Sequence, residues 1–199
     1  MCIRDRNYGD GFTTMYGADH EDIAYSYRTG NHGDGSWYSI NGNIDYQRTS
    51  RKNKQRMITF SYKINTQPQT SNSNTGYEDI HAKEEVDDLV KRLLLKNSQS
   101  DGKTNTMEQT FQVDYTTPIG ELHTVEAGAK YIFRRNTSDN KLYEAAGGSD
   151  DYLYNEDRSS DYRHLNHILA AYLGYTLKYK DFTFKPGVRY EQTVQRVKY

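Results

Sequence analysis

The sequence lacks any long hydrophobic run. Its longest nearly apolar stretch, residues 168–175, is far shorter than the roughly 18 residues that a membrane-spanning helix needs. A spanning strand is not excluded, because it needs only about 9 to 11 residues of alternating character. The single cysteine, Cys2, excludes a disulfide framework and is too little to build a metal site.

The sequence also lacks an excess charge of either sign. It has 26 basic and 27 acidic residues, so the net charge is -1, and the basic footprint of a nucleic-acid-binding protein is missing. We therefore expect no nucleic-acid partner. Aromatic residues are not scarce: 19 tyrosines contribute to an aromatic content of 13%, which is unlike the composition of disordered chains.

The two ends of the chain indicate a fragment. The opening letters MCIRDR resemble translated sequencing-adapter sequence, so we expect residues 1–6 to be an assembly artefact and Met1 not to be a biological start. We interpret residues 7–36 as part of an extracellular loop and residues 37–199 as the folded segment. The chain stops at Tyr199 without a turn or a polar tail, and we expect it to be open at both ends.

Apolar residues recur with a period of two in the folded segment. This alternation is typical of strands that have one apolar and one polar face. In 57–65, for example, Ile58, Phe60, Tyr62 and Ile64 alternate with polar side chains. The six segments that alternate in this way are 37–47, 57–65, 109–115, 123–133, 165–179 and 182–191.

The connections between these segments alternate in length. Short connections contain turn formers such as Pro118 and Gly120, whereas residues 66–106 and 136–163 form long polar loops. Short turns at one rim and long loops at the other are typical of a transmembrane barrel. The predicted fold class is therefore all-β: an antiparallel up-and-down transmembrane β-barrel, of which this chain holds about six strands, with short periplasmic turns and long extracellular loops.

The first long loop contains a helical pattern. Val86, Leu89, Val90, Leu93 and Leu94 follow helical spacing, and acidic residues precede basic ones in the order that the helix dipole favours. The pattern predicts a short helix. The alternative is that residues 92–96 begin a strand that extends above the membrane.

Charged side chains occupy the polar face of the predicted strands. A polar lumen is favoured over open solvent because aromatic residues lie near the predicted strand ends, at Tyr38, Tyr46, Tyr115, Tyr179, Phe182 and Tyr190. We expect the charged residues to form ion pairs between neighbouring strands without binding a ligand. The candidates for the lumen are Glu126, Lys130, Arg134, Lys185, Arg189 and Glu191.

Three stretches resemble the outer-membrane β-barrel family of TonB-dependent receptors of the Bacteroidetes type. They are DYTTPIGELHTVEAGAKY at 114–131, HILAAYLGYTLKYKDFTFKPGVRYEQT at 167–193 and IDYQRTSRKNKQRMITFSYKIN at 44–65. The likeness covers about residues 37–195.

The resemblance implies uptake of a ligand across the cell outer membrane by a barrel of about 22 strands, contacted by outer-membrane lipid on its outside. It also implies an N-terminal plug and an inner-membrane, TonB-type energy-coupling complex. We find neither a plug nor a coupling motif in these residues. The ligand, unknown in identity, would meet the extracellular loops.

No motif for catalysis, a metal or a cofactor is found. His164 and His167 differ in strand parity, so we expect them to point to opposite faces. The acidic cluster between Asp150 and Asp161 lacks EF-hand spacing, and no nucleophile with a base and an oxyanion donor can be identified. We therefore predict no enzymatic activity and no cofactor. The alternative function is that of a secreted or surface β-sandwich module that binds carbohydrate.

Overall fold

A computed structural model describes residues 2–17, 22–84, 87–91 and 95–199. Within them, ten strands form one antiparallel sheet. The strands are β1 (Cys2–Tyr16), β2 (Ile23–Tyr38), β3 (Ile40–Thr49), β4 (Met57–Ala82), β5 (Lys96–Ile119), β6 (His123–Ala146), β7 (Leu153–Tyr154), β8 (Ser160–Tyr179), β9 (Phe182–Phe184) and β10 (Gly187–Lys198). One helical turn, α1 (Asp87–Leu89), lies between β4 and β5.

The strands follow one another across the sheet in the order β1-β2-β4-β5-β6-β8-β10. Two of these passes are interrupted. Both β2 and β3 pair with β4, on either side of Ser39, and both β9 and β10 pair with β8, on either side of Lys185 and Pro186. The sheet is a meander that does not close on itself within the described residues.

The six alternating segments are all strands, as predicted. The segment 37–47 contains the end of β2 and most of β3, with a break at Ser39, and the other five correspond to β4, β5, β6, β8 and the interrupted pass β9–β10. The short connections, at 50–56, 120–122 and 180–181, lie together at one end of the sheet, here called the short end. The opposite end is called the long end. No helix among the described residues is long and apolar enough to cross a membrane.

The strands are much longer than the alternating segments. Strand β4 has 26 residues, β5 and β6 have 24 each and β8 has 20, so most of the predicted loops at 66–106 and 136–163 is strand. Residues 7–36, interpreted as loop, lie mainly in the β1–β2 hairpin. In β4, β5 and β6 the physical reason is that the extensions are polar on both faces, as in QTSNSNTG at 69–76, so hydrophobicity has no period there although the backbone is paired.

The connection between β4 and β5 carries two of the four apolar residues that are buried in the described part of the chain. Val90 is 1% exposed and Leu95 is 4% exposed. The helical turn is stabilised by an ion pair between Lys91 and Asp87 at 2.9 Å. The helix predicted over this connection is thus present as one turn, while Val86, Leu93 and Leu94 lie outside the described residues. Strand β5 begins at Lys96.

Candidate functional site

All six predicted lumen residues lie on one face of the sheet. Side chains that are directly opposed on paired strands share a face, and Glu126 is opposed to Gly174, which is opposed to Gly187. The face therefore contains the even positions of β6 and β8 and the odd positions of β10. We call it the polar face, and its charged residues include Glu126, Lys130, Arg134, Lys185, Arg189 and Glu191.

An ion pair crosses β8 near the short end. Lys185 Nζ lies 3.1 Å from Glu126 Oε2, although the two residues belong to passes on either side of β8. The position between them is Gly174, where an added Cβ would lie 3.6 Å from Glu126 Oε2. That distance is an ordinary van der Waals contact, so an alanine at this position would also fit beside the ion pair.

A second ion pair joins β5 to β6. Arg134 Nε donates to Glu108 Oε2 at 2.5 Å, and the two residues are direct partners in the register. Arg189 pairs with Glu191 along β10. Glu108 was not recognised from the sequence, because it lies just outside the alternating segment 109–115 and only the register reveals its partner.

Lys130 occupies the middle of the polar face. Its direct partners are Gln112 on β5 and Ala170 on β8, and Glu191 lies on the far side of Ala170. Ala170 is 1% exposed. No acidic side chain of the described residues forms an ion pair with Lys130.

The apolar exceptions to the pattern are explained by their partners on this face. Ile132 and Ile168 are directly opposed to each other, so each shields the other. Tyr172 is opposed to Gly128, and its ring covers the glycine closely enough that an added Cβ would lie 2.2 Å from Cζ. The Tyr172 hydroxyl also accepts a hydrogen bond from Gln112 Nε2 at 3.4 Å.

The opposite face, called the apolar face, collects the apolar side chains of all six predicted strands. The register places Phe60, Val113, Ala129, Ala171 and Tyr190 in one row across five strands. Large side chains on this face are exposed: Ile44 is 71%, Leu173 52% and Val188 70% exposed. No other layer covers it within the described part of the chain.

The apolar side chains form a band of limited height. On β6 the band runs through alternate positions from His123 to Phe133, and Arg135 follows. This is about 11 residues, or roughly 35 Å along the strand and about 27 Å at the tilt of a barrel. The height matches the hydrocarbon thickness of a bilayer, which is about 30 Å. We call these rows the apolar band.

The predicted rim aromatics all lie on the apolar face and are exposed. Near the short end, His123 Nδ1 also lies 2.5 Å from the hydroxyl of Tyr175. In the part of the apolar band nearer the long end, the Tyr131 hydroxyl lies 2.8 Å from His167 Nδ1. The tyrosine hydroxyls therefore form hydrogen bonds with histidine rings on an otherwise apolar surface. Such pairing is typical of amphipathic aromatic residues at a membrane interface.

A cavity of about 490 Å³ lies at the long end, between the β1–β2 hairpin and the loop after β6. Its lining is polar and aromatic. The rings of Tyr8 and His32 are 4.6 Å apart. Burial raises the pKa of the Tyr152 hydroxyl, and the charge of Asp150 acts in the same direction. Further lining residues are Asn31, Asn74, Glu78 and Asn97.

Glu144 holds the loop after β6 in place. Its carboxylate accepts a hydrogen bond from Asn155 Nδ2 at 2.7 Å, pairs with Arg158, and lies 3.7 Å from Lys96 Nζ. The side chain of Glu144 is only 12% exposed. The pKa of Glu144 is lowered, and the hydrogen bond from Asn155 is the largest cause. Burial acts in the opposite direction and raises the pKa, whereas the positive charges of Lys96 and Arg158 lower it further.

The two histidines of the HxxH pattern do not meet. His164 lies on the polar face and His167 on the apolar face, as their parity predicts. Within the acidic cluster, Asp151, Glu156 and Asp157 line a second cavity of about 480 Å³ beside Glu144. In the described ranges, no group of three or more histidine, cysteine, aspartate or glutamate residues is arranged to hold a metal ion.

Comparison with known proteins identifies the family. Residues 49–199 match the outer membrane protein beta-barrel family. The chain belongs to this family. The match includes β4 to β10, which carry most of the apolar band, as well as all six predicted lumen residues, and it locates the protein in the cell outer membrane.

Among solved structures, the chain is similar to the ferric citrate transporter FecA in its unliganded form. The identity is 11% and the TM-score 0.33, with 98% of this chain and 36% of the FecA chain covered. The chain thus spans about a third of the length of that transporter. No curated protein matches the sequence.

Proposed function

We propose that this chain is part of the barrel of an outer-membrane receptor of the TonB-dependent, Bacteroidetes type, which takes up a ligand across the outer membrane. The proposal rests on family membership and on the three sequence stretches at 44–65, 114–131 and 167–193. Energy would reach the barrel through a plug and an inner-membrane coupling complex. Transport, not catalysis, is the activity proposed.

The observation that carries the proposal is the difference between the two faces of one sheet. The apolar face has exposed side chains over about the thickness of a bilayer, whereas the polar face holds ion pairs such as Glu126 with Lys185. A sheet in a membrane needs lipid on the first face and a polar interior behind the second. We therefore assign the apolar face to lipid and the polar face to the lumen.

The long end is proposed to be extracellular. The hairpins at this end extend far beyond the apolar band, and strands β4, β5 and β6 are polar on both faces there, at 69–76, 96–106 and 136–141, which suits water on both sides. The cavity of about 490 Å³ beside Tyr8 and His32 is formed by these hairpins. We propose this region as the place where the ligand first meets the protein. Residues 7–36 would then belong to an extracellular hairpin.

The facing assignment can be tested with spin labels in the protein encoded by the whole reading frame. Single cysteines replace Leu173 on the apolar face and Thr193 on the polar face. A label at 173 is expected to be accessible to oxygen dissolved in lipid, and a label at 193 to an aqueous nickel chelate. Equal access of the chelate to both positions would contradict the assignment.

Coupling is tested separately in living cells. The same protein should crosslink to the TonB-type component of the coupling complex, and deletion of that component should remove the crosslinked product without lowering the amount of barrel in the outer membrane. A barrel that assembles but never forms this crosslink would be a plugless porin-like protein or an assembly factor.

The carbohydrate-binding β-sandwich is not supported by the described residues. A sandwich covers the apolar face of one sheet with a second sheet. Here Val188 and Tyr190 of the apolar face remain 70% and 65% exposed. Because the chain belongs to an outer-membrane family, the apolar face can instead be covered by lipid.

A further inference from the structure

Four basic residues lie on the apolar face, immediately beyond the apolar band in the direction of the long end. Arg135 on β6 and Arg196 on β10 are both opposed to Leu165 on β8, so the three form one row. In the next row toward the long end, Arg163 is directly opposed to Lys198. We call Arg135, Arg163, Arg196 and Lys198 the basic rim.

The basic rim is not neutralised by the described residues. None of its members forms an ion pair, and the Nε atom of Arg135 is buried without a hydrogen-bond partner. The nearest acids on this face are Asp139 and Asp161, which oppose each other one row further from the band, with Lys103 beside Asp139. Two successive rows therefore carry positive charge only.

The pairing of Arg163 with Lys198 is unfavourable unless an anion lies between them. Like charges at directly opposed positions of a sheet destabilise it. Guanidinium groups have a fixed fork of donors that matches the oxygens of a phosphate, and lysine binds phosphate as a point charge. The chemistry of the basic rim thus matches a phosphate group.

The height of the basic rim identifies the source of the phosphate. Hydrocarbon covers the side chains up to Phe133, so the next rows lie at the level of the headgroups. Long basic side chains reach from the edge of an apolar surface into that layer. We propose that the basic rim binds phosphorylated headgroups of lipid in the outer leaflet. This proposal rests on the assignment of the apolar face to lipid and of the long end to the cell exterior.

The test compares two double substitutions in the protein encoded by the whole reading frame. R163Q/K198Q removes two charges from the basic rim. K63Q/K130Q removes two charges from the polar face and serves as the matched control. The probes are lipid A with two phosphates, the same lipid after removal of its phosphates, and inorganic phosphate, each added to delipidated protein in detergent.

Lipid A is expected to raise the melting temperature of the wild type and of K63Q/K130Q. R163Q/K198Q should bind it about thirtyfold more weakly, given the usual contribution of each basic residue near an anionic surface. Dephosphorylated lipid should not distinguish the variants. Equal binding of lipid A by R163Q/K198Q, or equal stabilisation by inorganic phosphate, would overturn the proposal.

The two proposals fail in different ways. If the spin label at 173 meets the aqueous chelate, the apolar face is not against lipid and the receptor assignment falls. If that label is protected but R163Q/K198Q binds lipid A as well as the wild type does, only the phosphate site is wrong.

Discussion

The ring of Tyr172 lies over the backbone of Gly128, its direct partner on the neighbouring strand. An added Cβ at Gly128 would approach Cζ, the hydroxyl oxygen and Cε2 of Tyr172 to 2.2, 2.3 and 2.6 Å. The Tyr172 side chain reaches across β6, and its hydroxyl accepts a hydrogen bond from Gln112 on β5. A tyrosine on a charged face is thus accommodated because the opposed residue has no side chain, and the glycine is covered in return.

Gly128→Ala is expected to destabilise the barrel by about 1–3 kcal/mol, the usual cost of forcing extra volume into a packed site. The ring of Tyr172 would have to leave its position and lose the contact with Gln112. The measurement is the free energy of unfolding in urea, in lipid vesicles, for the protein encoded by the whole reading frame.

Gly174→Ala is the control for this substitution, because the nearest atom to its Cβ would be Glu126 Oε2 at the ordinary distance of 3.6 Å. In a Tyr172→Ala background, Gly128→Ala should cost nothing. A full loss of stability in that background would show that the ring is not the obstacle.

The sequence predicts which segments are strands, and which of their side chains share a face, wherever one face of the strand is apolar. The segment 123–133 is an example, since one of its faces is apolar and the other is polar, which produces a period of two. The sequence predicts its two neighbours across the sheet, 109–115 and 165–179, for the same reason. Ile132 and Ile168 are exceptions, because both lie on the polar face, where they are directly opposed to each other.

The halves of the strands nearer the long end could not be predicted, because polar residues on both faces leave the hydrophobicity without a period. Residues 96–105 read as loop, yet each is paired to β6. The ion pairs were also beyond prediction in detail. Arg134 meets Glu108 because of the register set by the turn at 120–122, and the sequence alone does not fix that register.

Leu173→Arg is expected to impair assembly in the membrane by about 2–4 kcal/mol, since the row of Ala127, Leu173 and Val188 lies near the middle of the apolar band. The cost arises from placing a charge in hydrocarbon. The measurement is the equilibrium between unfolded protein and protein inserted into vesicles.

Thr193→Arg places the same side chain on the polar face of β10 and should cost a few tenths of a kcal/mol at most. Equal penalties at positions 173 and 193 would mean that both faces meet the same environment, which is incompatible with a barrel.

The ion pair between Glu126 and Lys185 is expected to contribute less than about 1 kcal/mol, because the two side chains are 39% and 59% exposed and water screens the pair. A double-mutant cycle with Glu126→Gln and Lys185→Gln measures the coupling. A coupling above about 2 kcal/mol would indicate that the polar face is dry rather than water-filled.

Glu144 makes the loop after β6 sensitive to acid. Its pKa is lowered in the folded protein, chiefly by the hydrogen bond from Asn155, so the ionised form favours the folded loop. A carboxyl group with a lowered pKa contributes stability that is fully present above its ordinary value of 4.5 and is lost as the pH falls through the lowered value. We therefore expect residues 147–159 to open below about pH 4.5 while the strands of the apolar band remain protected.

Hydrogen exchange measured by mass spectrometry, with rates divided by those of the free peptide at each pH, reports this opening. Glu144→Gln should exchange faster in 147–159 already at pH 7 and show little further change on acidification, because the charge that binds Arg158 and Lys96 is absent. Asp157→Asn, in the same loop, is the control and should keep the acid response of the wild type. If Glu144→Gln retained that response, another carboxyl group would have to hold the loop, and the role assigned to Glu144 would be wrong.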